Sequence, residues 1–300
     1  MELAKIAKLD HVLKDKSVAH LMIDNDRVLS ENTVRGLNVD YREFDRGVEV
    51  KIVVDDDTHI EKPVHLCFGL SKKEFLQEIR MDIRMGKNSR MDVFSHCVLT
   101  KKGKHVMNAN IVIGEGARYK YLEKHIHGDE IVEVSPKAMV EVKDNGRFQT
   151  DFELLRGRVG VLDIDYRIKG YRNSIADLTT KVSGARDDVI KIREEEHLIG
   201  ERARGVLRSR VAVRNNARAE IYNRIVAIAP FSRGHVDCKE IIKDSATAAA
   251  IPVVEVRHPR AHVTHEASIG SVDRKQLETL MSRELSKDEA TEIIIEGLLS

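Results

Sequence analysis

Between about residues 60 and 265 the chain is written in short β-prone runs, each closed by a turn signal, and this cadence restricts what it can fold into. The runs Asn110–Ile113, Met139–Val142, Val159–Ile168, Val189–Arg193, Val206–Val213, Ala219–Ile228 and Val253–Val256 are rich in β-branched residues. Gly114 and Gly116, Asn145-Gly146, Gly170, Gly184, Gly200, Asn215-Asn216 and Gly234 separate them, and long helical periodicity is missing. A small tag repeats at the turns, with alanine before a basic residue: Gly116-Ala117-Arg118, Gly184-Ala185-Arg186, Arg202-Ala203-Arg204, Asn216-Ala217-Arg218 and Arg260-Ala261-His262. Short strands, regular turns and a small residue at each crowded corner suit a β-solenoid, in which every coil stacks on the last. A β-sandwich or barrel with strands every 8–12 residues or so is the competing architecture, because no strict hexapeptide repeat is present.

Other textures flank this region. From Glu2 to about Lys14, Leu3, Ile6, Ala7, Val12 and Leu13 recur at helical spacing, which predicts a short amphipathic helix. Val48–Val54 reads as a strand. Asp55-Asp56-Asp57 reads as an acidic turn after it, since calcium loops alternate their ligands around a fixed glycine. Near the other end, Asp273 with Gln276 and Ser286 with Glu289 read as capping boxes. Leu277, Leu280 and Met281 would line the first helix, and Ala290, Ile293, Ile294 and Gly297 the second. The expected organisation is an N-terminal mixed segment (1–59), a β-helix core (60–270) and a C-terminal helical region (271–300). Those helices would either cover the open end of the solenoid or dock a partner.

Composition removes several function classes. With 50 Lys+Arg against 49 Asp+Glu, the formal charge is +1, so no global field draws the protein to nucleic acid or anionic lipid. Tryptophan is absent and aromatics are 4%, poor material for stacking bases or sugars. No apolar run approaches the roughly 20 residues that cross a bilayer, and charges interrupt the first ten residues. A cytoplasmic, soluble protein is expected. Phosphate-loop, dinucleotide, GxSxG and HExxH patterns are all missing, so the expectation is of a non-enzyme without its own ATPase motif. Three cysteines without a close pair exclude a disulfide framework and a four-cysteine zinc site within one chain.

A constellation of soft and borderline ligands is left. Cys238 lies in His235–Ile242, where a strand would put Val236, Cys238 and Glu240 on one face and His235, Asp237, Lys239 and Ile241 on the other. In Ala261–Glu266, His262 and Thr264 share a face, while His265 and Glu266 point to opposite sides. Thiolate, imidazole and carboxylate are ligand types that iron and zinc accept, and the spacing fits neighbouring coils. The competing reading of a lone cysteine is a small core residue. His96-Cys97 near His105, and His125-Ile126-His127, offer further ligand types but read as structural or surface histidines. Cys67 sits in the apolar run Val64–Phe68 and reads as core. Arginines between Arg202 and Arg218 read as the solvated face of alternating strands.

From about Glu195 to Leu298 the chain resembles the SufB/SufD family, scaffold proteins of the SUF iron–sulfur cluster assembly system. The resemblance rests on residues in order: Glu196-His197, Gly205-Val-Leu207, Asp237-Cys238, Asp244–Ala248, Pro252-Val-Val-Glu255 and His265-Glu-Ala267. It continues through Asp273-x-x-Gln276-Leu, Ser282-Arg283, Glu289-Ala290 and Glu296-Gly297, and is looser over 60–195. Arg283-Glu284 and Gly297-Leu298 depart from the family's usual Arg-Gly and Gly-Phe. Cysteine together with His-Glu-Ala is similar to SufB rather than SufD, in a compact version lacking most of the longer members' N-terminal helical region. The resemblance implies a right-handed parallel β-helix and a homodimer meeting at the end of the coil. It further implies a transient iron–sulfur cluster built with Cys238, His265 and Glu266, and a SufC-like ABC ATPase docked on the C-terminal helices. A β-helix carbohydrate-active enzyme and a purely structural interaction module are the competing functions.

Overall fold

The computed structural model describes residues 2–7, 9 and 12–300. The predicted N-terminal helix is shorter than its periodicity suggests. It comprises α1 (Glu2–Ile6), with a separate 3-10 turn at Val12–Lys14, and its residues 8, 10 and 11 lie outside the described residues. The strands then run β1 (His20–Asp24), β2 (Arg27–Asn32), β3 (Leu37–Phe44), β4 (Gly47–Val54), β5 (Val64–Gly69) and β6 (Phe75–Met85). Next come β7 (Arg90–Leu99), β8 (Gly103–Ile113), β9 (Arg118–His127), β10 (Val132–Val142), β11 (Arg147–Leu154), β12 (Val161–Gly170) and β13 (Ile175–Gly184). The series ends with β14 (Val189–Leu198), β15 (Arg204–Val213), β16 (Arg218–Ala227), β17 (Arg233–Ile242), β18 (Thr247–Val256) and β19 (His262–Gly270). Helices α2 (Arg274–Met281) and α3 (Lys287–Leu299) follow.

Odd strands from β5 to β19 stack in one sheet and even strands from β4 to β18 in another, all in parallel register. The chain is a β-solenoid of about 8 turns, with 59% of its residues in strands. Ladder partners such as Arg147 and Ile175, or Arg204 and Arg233, are 28 and 29 residues apart (175 − 147 and 233 − 204). That is the coil length. Alternate residues point between the two sheets and form the core, from Val48 and Ile79 to Ile225 and Val236.

Turn chemistry explains the cadence. Asn88, Asn145, Asn173, Arg202, Asn215 and Asp244 take positive φ, a conformation that asparagine and aspartate tolerate better than most side chains. Alanine or serine then turns inward where coils press together. Ala117, Ala203 and Ala217 are fully buried, and Ser89, Ser174 and Ser232 donate to carbonyls three residues back at 2.7 Å. Ala185 is the exception among the tags. It precedes the positive-φ Arg186, so the corner is taken by Asp188, whose carboxylate accepts from the Ala185 and Gly160 backbone amides at 2.9 Å each.

The two ends differ. At one, β2 and β3 pair antiparallel with β1 and β4. Glu43 of β3 reaches across to accept from the Val28 amide of β2 at 2.8 Å and pairs with Arg27 at 2.6 Å. At the other end, β18 and β19 each have a neighbour on one side only. Their inward phase is open to solvent: Val256 is 48% exposed and Ile269 45%.

The helical hairpin leans on the outside of the coil. Ser286 and Glu289 form a reciprocal capping box, whereas Asp273 caps α2 in one direction, accepting from the Gln276 amide. The buried face of α3 is Ala290, Thr291, Ile295 and Leu299, and Ile295 and Leu299 pack on Ala212 of β15. Ile293, expected on that face, is instead exposed. Arg214 pairs with Glu292 at 2.7 Å and Lys243 with Asp288 at 2.9 Å, fixing the helix angle from both sides. Helix α2 buries no residue.

Candidate functional site at the open end of the coil

Cys238 projects between the sheets from β17, with no exposed surface. Its ladder neighbours are Ser209 beneath and Ala267 above, and Ala267 belongs to the last coil. One coil with a small side chain therefore roofs the sulfur. His265 stands over Val236 in the same inward phase, while Glu266 stands over Asp237 on the outer face. With coils about 4.8 Å apart and about 3.3 Å per residue along a strand, the Cys238 and His265 positions are about 8 Å apart. Cys238 and His265 thus share a face on adjacent coils, and Glu266 occupies the opposite side of its strand. Both His265 and Glu266 are exposed.

The surroundings of Cys238 are polar in a way the strand pattern concealed. The Asn223 amide on β16 lies 3.7 Å from the sulfur. Turned so that its NH2 donates to Glu194 Oε2 and the Tyr222 carbonyl, at 3.3 Å each, its oxygen faces the thiol. Thr180 donates to Glu194 Oε1 at 2.6 Å, and Ser209 donates to Glu240 Oε1 at 3.1 Å. Both oxygens of Glu196 lack a partner among the described residues. Burial pushes the Cys238 thiol up to about 11, so it is protonated in the isolated chain. On the outer face, Arg210 pairs with Asp237, Arg208 with Asp177 at 2.5 Å, and Arg224 with Glu255 at 2.8 Å. The arginine run is a face of ion pairs between coils.

Burial also pushes Glu194 and Glu240 up to about 7, from an ordinary 4.5. A carboxyl whose folded value is raised makes the folded chain hold the extra proton, so its contribution is intact below about pH 4.5 and lost as pH rises towards 7. Glu194→Gln, which stays neutral, is expected to raise the unfolding free energy by about 3 kcal/mol at pH 8 and to change it little at pH 4.5. Denaturant titrations at the two pH values measure this. Equal effects at both would show that the carboxyl is solvated.

The remaining candidates lie in the first half of the coil. His96 is on the outer face, its ring stacked on that of His65 with centroids 6.1 Å apart. Cys67 belongs to an apolar cluster with Met22 and Val98, as its neighbours suggest. Cys97, His105, His125 and His127 are buried inside the first half of the coil. Sequence reasoning missed Glu194 and Asn223 around Cys238, and put Glu240 on the same strand face without giving it a role. Their signal was the ladder interval of 28–29 residues, which places Thr180, Ser209 and Cys238 in one column.

A family model described as SUF system FeS cluster assembly, SufBD core domain, matches residues 68–298. The chain belongs to the SufBD family. It is 39% identical over 282 residues to an iron–sulfur cluster assembly SufBD family protein of Methanocaldococcus jannaschii, covering 93% of this chain and 89% of that one. It is 33% identical over 301 residues to a protein of the same description from Pyrococcus horikoshii, covering 100% and 92%. A SufBD relative in Archaeoglobus fulgidus is 26% identical over 243 residues, 80% of this chain and 65% of its own. Membership places this SufBD chain in iron–sulfur cluster assembly. No helix among its described residues is long and apolar enough to cross a membrane.

Proposed function

We propose that the chain is the scaffold subunit of a SUF-type assembly complex, on which a transient iron–sulfur cluster is built where two copies meet. The observation that carries this reading is the bare last coil with a cysteine one coil beneath it. In the proposed site Cys238 supplies the thiolate and His265 an imidazole on the same face, with Glu266 as a carboxylate from the outer side of β19. The cluster is cargo, so few and labile ligands suit it better than four cysteines, which would retain it. Cys238 must lose its proton and its roof before it can ligate. A partner that moves the last coils, such as a SufC-like ABC ATPase seated on α2 and α3, would supply that motion. Helix α2 supports this docking role: it buries nothing in the chain, and Met281 of α2 and Ile293 of α3 both stand exposed. The absence of a phosphate loop from the sequence fits ATP chemistry residing in the partner.

Anaerobic reconstitution with ferrous iron and sulfide tests the reading. The full chain is expected to develop iron–sulfide absorption, Cys238→Ser to develop less than a tenth of it, and His265→Ala an intermediate amount. Spectra unchanged in a folded Cys238→Ser protein would refute the assignment.

A further inference from the structure

A second ligand set lies inside the coil, five and six coils from the open end. Cys97 on β7 and His125 on β9 are ladder partners, and Glu123 stands two residues before His125 on the same inward face. One ligand atom from each lies within 4.8 Å of the other two, and all three residues are buried. Cys97 Sγ is 3.6 Å from Glu123 Oε1, and His125 Nε2 is 2.8 Å from the same oxygen. Sulfur and oxygen bound tetrahedrally to one zinc ion stand about 3.6 Å apart, and nitrogen and oxygen about 3.3 Å. The cluster therefore needs to open by only about half an ångström to admit an ion.

Hydrogen bonds fix which atoms face that space. A carbonyl only accepts, so His127 Nδ1–H donates to the Arg158 carbonyl at 2.8 Å. A buried imidazole without a carboxylate partner stays neutral, which leaves His127 Nε2 as an acceptor. His125 Nδ1, 3.2 Å away, must donate to it. His125 Nε2 consequently faces Glu123 Oε1, with Cys97 Sγ beside it. A dication held by a thiolate, a carboxylate and a neutral imidazole brings no net charge into the interior. The His125–His127–Arg158 relay is the outer support that orients metal-bound imidazoles. The hydroxyl of Tyr119, which lines the same cavity as Glu123, also lacks a hydrogen-bond partner among the described residues.

We propose that Cys97, Glu123 and His125 form a mononuclear site for a divalent ion of the zinc and ferrous-iron class, with its fourth position open towards the interior cavity that Glu123 lines. The site stands apart from Cys238 and does not depend on the reading of the open end.

Cobalt(II) is the probe. Untagged, chelator-stripped full chain is expected to bind one cobalt per chain with thiolate-to-cobalt charge-transfer absorption, and zinc is expected to displace it. Cys238→Ser keeps that band, Cys97→Ser loses it, and Glu123→Gln weakens binding at least tenfold. Circular dichroism checks that each variant is folded. A folded stripped chain that binds no cobalt would overturn the proposal, as would a band that survives Cys97→Ser or vanishes in Cys238→Ser. Should Cys97→Ser not fold, cobalt bound to the unaltered chain without a thiolate charge-transfer band overturns it equally.

Discussion

Phe152→Ala is expected to lower the unfolding free energy by about 3–5 kcal/mol, the range for removing a buried aromatic ring. Phe152 is 1% exposed, and its ring centroid lies 4.7 Å from that of His125. On the ladder it separates Glu123 from Thr180, and so divides the Cys97 cluster from the polar column that leads to Cys238. The hole left by alanine cannot close by collapse, because backbone bonds to the coils above and below hold every strand at fixed spacing. It would instead bring two sets of buried polar groups into one cavity. Phe152→Leu keeps most of the volume and is expected to lose about 1 kcal/mol. Chemical denaturation of both variants is the measurement. A loss under 1 kcal/mol for the alanine variant would show that the interior is loose at this level.

Ala267→Arg is expected to weaken self-association at least a hundredfold while shifting stability by less than about 0.5 kcal/mol. Ala267 belongs to the bare coil and is exposed, so an arginine there meets solvent in the isolated chain. Across a pair joined through this coil, the same side chain would bury a charge against its own copy. Sedimentation equilibrium reads the association, and reconstitution should fall with it because Ala267 roofs Cys238. Unchanged association would place the second copy on another surface.

The coil was legible because its corners obey local rules. Asparagine at positive φ followed by alanine or serine is a signal that four or five residues carry by themselves. The edge of the molecule was less legible. Strands β1 to β3 were not read; in β2, a half-exposed edge strand, the adjacent Val28 and Leu29 break the apolar–polar alternation. Cys238, His265 and Glu266 fell on the faces that strand alternation assigned. The run Glu194-Glu195-Glu196 misleads, since three acids in a row suggest a solvated stretch. A strand nevertheless turns its first and third residues the same way, and here that way is inward. What pairs them with Thr180 and Asn223 is the coil length, and local composition does not contain it. Of the histidines read as structural or surface residues, His105, His125 and His127 are buried, and His96 is on the outer face. Their mutual geometry depends on Cys97 lying 28 residues before His125, an interval visible only once the coil is known.

The contrast between the two ends sets a valence. A solenoid bare at both ends would stack head to tail without limit, because each addition would present a fresh edge. In this chain the strand direction reverses at one end, where antiparallel β2 and β3 are bridged by Glu43, so the two ends present unlike edges and the parallel coil edge is offered once. Two such chains joined through β18 and β19 would exhaust each other across a two-fold axis, and growth would stop there. The charged strands at the far end, opposite Cys238, are thus what would keep a cluster builder from becoming a fibre.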